Sequence, residues 1–205
     1  TGEVIYEKNA DAEASIASLT KLMTAMVVLD SGLDLNQIIT LTKADIDRIK
    51  RTTSRLPIGS KLSRYELLKA ALISSDNRAA FALSRSYPNG RKGFINAMNV
   101  KAIQLGMQQS QFQDPTGLDK RNISTAKDLL KLARAAYQYS VIRELTTTAS
   151  ENIKISKKRN SIGFNNTNPL VKKDEWDIGL SKTGFIRESG RCLVVQTIID
   201  DQPII

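Results

Sequence analysis

A chain of 205 residues, 41% of them hydrophobic, is long enough to bury a core and argues against disorder. Its 30 Lys and Arg against 21 Asp and Glu give a formal charge of +9, which favours acidic partners without choosing among nucleic acid, anionic lipid and acidic polymer. It contains no histidine, which removes Ser-His-Asp triads, Cys-His pairs and nearly all zinc sites, so any nucleophile must recruit another base.

In chain order, Val4 to Tyr6 reads as an edge strand leaving through the turn-like Lys8 to Asp11. From Ser18 a run apolar on nearly every side continues until Ser31-Gly32, the pattern of a central buried helix. Residues 36 to 63 read as a small mixed insert, with Ile38 to Leu41 β-prone, Lys43 to Lys50 helical and a turn at Pro57-Ile58-Gly59. Arg64 to Ser74, Asn77 to Ser86, Arg91 to Leu105 and Ala126 to Tyr139 show helical spacing and make a mostly helical lobe. From Glu151 the pattern turns β-rich, and Ile178 to Ile186 with Arg191 to Ile199 reads as a hairpin across Arg187 to Gly190.

The expectation is an α+β domain whose antiparallel sheet is assembled from both chain ends. Cys192, the only cysteine, lies in an apolar run and is expected to be a buried core thiol. No apolar stretch approaches the roughly 20 residues of a membrane span, so no transmembrane segment is expected, and no leader precedes Thr1. A signal peptide removed before Thr1, and a cut within an element near Pro203-Ile204-Ile205, fit both ends.

Ser18 and Lys21, three residues apart on a helix, share a face, so Oγ and Nζ come within hydrogen-bond reach. A lysine acts as base only when neutral, and apolar surroundings favour that form. The helix start also favours negative charge developing at Ser18. The spacing alone is weak, since Ser124 and Lys127 repeat it in a setting that helix capping explains.

A second element is Ser75-Asp76-Asn77 at a break between helices, where a hydroxyl and a carboxamide can face one cleft. Its competing reading is an N-cap. A third is Lys182-Thr183-Gly184 on a strand. The lysine and threonine can bind a substrate carboxylate, Gly184 admits a close backbone, and the N–H of Phe185 can join that of Ser18 in an oxyanion hole. A charged edge strand is the bland alternative.

In this order, Ser18-x-x-Lys21, Ser75-x-Asn77 and Lys182-Thr183-Gly184 resemble the signature of penicillin-binding proteins and serine β-lactamases. Ala17 to Thr24, Ser74 to Ala80, Asp114 to Leu118 and Ser181 to Gly184 look like the low-molecular-mass D-alanyl-D-alanine peptidases. Ser54 to Gly59, Tyr87 to Gly90 and Asn165 to Asn168 look most like the D,D-endopeptidase type, penicillin-binding protein seven.

The resemblance implies a single β-lactamase/transpeptidase-like catalytic domain over 1-205, lacking a final strand and helix that complete members carry. It further implies an acyl-enzyme on Ser18, proton relay through Lys21, and proton shuttling and substrate holding by Ser75 and Asn77. The carboxylate end would lie on Lys182 and Thr183. Peptidoglycan peptide stems would be the substrate and β-lactams covalent inhibitors, with the enzyme periplasmic or otherwise outside the cytoplasmic membrane. No metal, organic cofactor or nucleic acid is expected.

Three alternatives stay open. A D-alanyl-D-alanine carboxypeptidase differs only in the leaving amine. A serine β-lactamase of the common class also needs a deacylating glutamate, for which Glu144 lacks the accompanying asparagine. A non-catalytic domain binding cell-wall polymer, or a basic module binding nucleic acid, rests on charge alone.

Overall fold

The computed structural model describes residues 3–155, 161–173 and 175–205. A helical lobe packs against a C-terminal antiparallel sheet, and the candidate residues line the junction.

The short strand β1 (Ala14–Ser15) leads through a 3-10 turn at Ala17–Leu19 into α1 (Thr20–Asp30). In α1 every residue from Thr20 to Val28 is buried, as expected of a helix without a polar face. Leu22, Met23 and Met26 have no exposed surface, so each contributes roughly 1.5–3 kcal/mol of apolar burial. Strands β2 (Ile38–Thr40) and β3 (Lys61–Ser63) pair antiparallel and bracket a long loop.

The helices α2 (Arg64–Ile73), α3 (Asn77–Arg85) and α4 (Gly90–Gln104) follow, close to the spans their periodicity predicts. Ser63 starts α2 with a capping box, accepting the Glu66 N–H while the Glu66 carboxylate accepts the Ser63 N–H. Strand β4 (Ile123–Ser124) pairs with β1 and enters α5 (Ala126–Tyr137), after which α6 (Ser140–Thr147) forms a helix that the spacing does not predict.

Strands β5 (Ser150–Lys154) and β6 (Ser161–Asn165) form one antiparallel pair. The main sheet has the order β7 (Ile178–Ile186), β8 (Gly190–Ile199), β9 (Gln202–Ile204), with the expected hairpin between its first two members.

The α+β class holds, but among the described residues the main sheet takes its strands from the C-terminal end alone. Residues Val4 to Tyr6 form no strand, and all three side chains are exposed. Val4 and Tyr6 line one cavity with Leu193 and Val195 of β8 without entering its ladder, and β1 pairs with β4 instead. The apolar end that reads as cut within an element is β9, paired to β8 through Thr197↔Ile204.

The expected helix over Lys43 to Lys50 is a single 3-10 turn at Lys43–Asp45. Beyond it the Asp47 carboxylate accepts the N–H groups of Ile49, Lys50 and Thr52, which closes a loop in place of helical bonding. Cys192 is half-buried rather than buried, packing against the core from β8.

Candidate active site

The turn before α1 is fixed by a tight backbone approach. Ala17 has φ +46°, and its carbonyl oxygen would lie 1.7 Å from any Cβ added at Gly117, which itself has φ +83°. Only glycine fits at 117. On the other side a Cβ on Gly184 would lie 2.8 Å from the Ser18 nitrogen, so β7 runs directly against the helix start. The Ser18 backbone nitrogen thus lies against Gly184, the residue that precedes Phe185 on β7.

Ser18 and Lys21 meet as their spacing predicts. Lys21 Nζ donates to Ser18 Oγ at 2.8 Å, to Asn77 Oδ1 at 2.8 Å and to the Thr116 carbonyl at 3.0 Å. The lysine is 1% exposed, and burial lowers its pKa to about 8 against the opposing pull of Asp114, Asp76 and Asp47. An amine in that range is neutral often enough near pH 7 to accept a proton.

The break between α2 and α3 carries the second element. Asp76 takes the capping role, its Oδ1 accepting the Ala79 N–H at 2.9 Å and its Oδ2 accepting the Ser54 hydroxyl at 2.7 Å. The cap of α3 is therefore Asp76, and neither Ser75 nor Asn77 takes that role. Ser75, at φ +60°, and Asn77 are left to face the cleft. Left-handed backbone at non-glycine Ala17 and Ser75 costs about 1–3 kcal/mol each, a strain that clusters at working sites.

On β7, Lys182 is 1% exposed and donates to Ser75 Oγ at 3.0 Å and to the Thr183 carbonyl at 2.8 Å. Burial and the nearby Lys21 charge hold its pKa well below the usual lysine range. The Thr183 hydroxyl donates to Thr167 Oγ1 at 2.6 Å, so the 166–168 loop forms the facing rim. Phe185 is largely exposed beside it.

The Ser124 and Lys127 pair does not meet. Thr125 caps α5, Ser124 bonds Ser110 at 2.7 Å, and Lys127 pairs with Asp11 on the surface at 2.6 Å. Glu144 is exposed on α6 with its carboxylate on the Tyr65 hydroxyl at 3.2 Å.

Four contributors lie outside the three catalytic motifs. Thr116 enters through its backbone carbonyl, held by the turn in which buried Asp114 accepts the Thr116 hydroxyl and the Gly117 N–H. Burial pushes the Asp114 carboxyl up, offset in part by those two donors and by Lys21. Asn122 clamps this turn to α1, donating to the Asp114 carbonyl at 2.9 Å and to Thr20 Oγ1 at 3.1 Å. Thr52 and Thr167 arrive on loops. The Asp-Pro-Thr-Gly run at 114–117 and the stretch Asn165 to Asn168 are the visible signals, for Thr116 and Thr167, and nothing in the sequence marks Thr52 or Asn122. Among the described residues, no group of three acidic, cysteine or histidine side chains is placed to hold a metal ion.

Residues 1–205 match the D-alanyl-D-alanine carboxypeptidase family, peptidase S11. The chain belongs to that family. It is 43% identical over 204 residues to a D-alanyl-D-alanine endopeptidase of Pseudomonas aeruginosa and 45% identical to that of Escherichia coli. The matches cover 100% of this chain and 66% of each relative, so it spans just under two thirds of their length. A D-alanyl-D-alanine carboxypeptidase of Streptomyces sp. K15 is 35% identical over 95% of the chain and 72% of its own length. The crystal structure of the Streptomyces K15 DD-transpeptidase superposes with a TM-score of 0.90 at 31% identity, covering 98% of this chain and 82% of that one. The peptidase S11 fold thus accounts for the arrangement of helical lobe and sheet described above.

Proposed function

We propose that this protein is a serine D,D-peptidase that cleaves peptide bonds to D-alanine in peptidoglycan stems through an acyl-enzyme on Ser18. The observation that carries the reading is the 2.8 Å contact between Ser18 Oγ and the buried Lys21 amine, whose pKa is lowered to about 8.

In the acylation step the neutral Lys21 takes the Ser18 hydroxyl proton while Oγ forms a bond to the D-alanine carbonyl carbon. Negative charge builds on the carbonyl oxygen, where the N–H groups of Ser18 and Phe185 receive it. The proton returns to the leaving amine, directly or through Ser75, whose hydroxyl sits on Lys182 Nζ at 3.0 Å, and the C–N bond breaks. Asn77 holds the lysine and faces the substrate peptide, while Lys182 and Thr183 bind the carboxylate end. Water then attacks the ester carbonyl as Lys21 accepts its proton, and Lys21 passes that proton to Ser18 Oγ as the acyl C–O bond breaks, releasing the acid and regenerating Ser18.

Three relatives above 40% identity bear the name endopeptidase, which favours a cross-linked diamino acid as the leaving amine over a terminal D-alanine. Such a substrate lies outside the cytoplasmic membrane, and penicillin would acylate the same serine. Among the described residues, no helix is long and apolar enough to cross a membrane. Digestion of purified cross-linked muropeptides tests the reading. The expected product is monomeric muropeptide with wild type and none with Ser18→Ala. Release of D-alanine alone points to the carboxypeptidase, and no cleavage of either kind contradicts the proposal.

A further inference from the structure

We propose that Thr52 and Asp47 form a positioning pair that locks the Asn77 carboxamide in one orientation, so that the lone pair of neutral Lys21 can face only Ser18. The inference rests on the functional reading above and adds residues that no motif contains.

Asp47 is 5% exposed and surrounded by donors. Its Oδ1 accepts the Ile49 N–H at 2.7 Å and the Lys50 N–H at 3.1 Å, and its Oδ2 accepts the Thr52 N–H at 2.7 Å and the Thr52 hydroxyl at 2.7 Å. Burial alone would raise its pKa, but these hydrogen bonds outweigh burial and hold the carboxyl below the usual range. The group is an anion and an acceptor only.

A hydroxyl has one proton to give. Thr52 gives it to Asp47, so toward Asn77 it offers only lone pairs. The group facing it, 2.9 Å away, must be a donor, and that is Asn77 Nδ2. The carboxamide oxygen then points at Lys21 Nζ, 2.8 Å away. One carboxylate thus sets the direction of every hydrogen bond from Asp47 to the lysine.

The consequence falls on the base. A neutral amine has two N–H bonds and one lone pair. With Asn77 Oδ1 and the Thr116 carbonyl each taking an N–H, the lone pair is left for the Ser18 hydroxyl. If the carboxamide turned over, Nδ2 would donate to that lone pair and the amine would present an N–H to Ser18. The lysine would remain neutral and in place, yet unable to accept the proton. This is the lysine counterpart of holding a catalytic imidazole in the correct tautomer.

Thr52 is exposed on the loop between β2 and β3 and has no hydrogen bond to Ser18 or Lys21, so it acts through Asn77. The test measures penicillin acylation of wild type, Thr52→Ser, Thr52→Val and Thr52→Ala, separating reversible binding from the acylation rate across pH 6 to 10, with thermal midpoints recorded. The expected result is a rate near wild type for T52S and a fall of about 10- to 100-fold for T52V and T52A. Reversible binding should be unchanged, and raising the pH should not restore the rate, because orientation and not protonation is lost.

Acylation of T52V and T52A within twofold of wild type overturns the proposal, as does full recovery at pH 10 or a T52S rate as low as that of T52V. If wild type itself takes no label on Ser18, the functional reading fails and this inference with it. Labelled wild type with equally active T52V sinks only the positioning role.

Discussion

Lys21 Nζ lies 2.8 Å from Ser18 Oγ with the lysine 1% exposed, so the amine that could activate the hydroxyl is one whose charge burial penalises. Its pKa of about 8 gives a pH dependence with a definite sign. The base is the neutral amine, whose fraction grows nearly tenfold per pH unit below 8 and saturates above it. Acylation by a penicillin should rise in that way and level off past pH 8. Lys21→Arg keeps a cation that does not deprotonate and should lose roughly 10²–10⁴ in acylation rate. A flat profile from pH 6 to 9 speaks against lysine as the base.

Gly184→Ala should separate activity from gross folding. The added Cβ meets backbone at Ser18 and the Ala17 side chain, at 2.8 and 2.9 Å, so β7 and the start of α1 must move apart. Overpacking of this kind costs about 1–3 kcal/mol. The displaced oxyanion donors should lower acylation by about 10²-fold. Normal acylation by a folded G184A protein would show that the close approach has no catalytic consequence.

Two helix caps should give contrasting results. Ser63→Ala removes the α2 capping box at a cost of about 1 kcal/mol and should leave acylation unchanged. Asp76→Ala removes the α3 cap and the Ser54 bond, a similar loss of stability, and also frees the segment that aims Ser75 and Asn77. Only D76A should lose acylation rate. Thermal unfolding and labelling of both variants check this, and equal activities would mean that the cap does not orient its neighbours.

A bound penicillin should stay bound. Glu144 is exposed and hydrogen-bonded to Tyr65, while Asp76 and Asp114 are committed to the cap and to the turn. None of these carboxylates is placed as a free base to drive water onto the penicilloyl ester, as the β-lactamase glutamate does. Intact mass measured over hours should show the adduct persisting, whereas rapid return to the free mass would place the protein with the β-lactamases.

Much of this was legible from residues alone. Periodicity located α2 to α5 and the β7–β8 hairpin because each buries a continuous apolar face. The Ser18 and Lys21 pair was legible because helical spacing fixes their geometry without any partner. Other features depend on neighbours that a local pattern does not contain. Val4 to Tyr6 has strand composition but no strand partner among the described residues, and Lys43 to Lys50 has helical composition overridden by Asp47 collecting backbone donors. The short α6 follows α5 so closely that no punctuation separates them in sequence. The Thr116 carbonyl is backbone, and backbone carries no residue signature.

The most direct measurement is peptide mass mapping after reaction with penicillin. One penicilloyl group on the peptide containing Ser18, absent from Ser18→Ala and strongly reduced in Lys21→Arg, is the predicted result. An adduct on another residue, or labelling that survives Ser18→Ala, contradicts the assignment of Ser18 as nucleophile and Lys21 as its base.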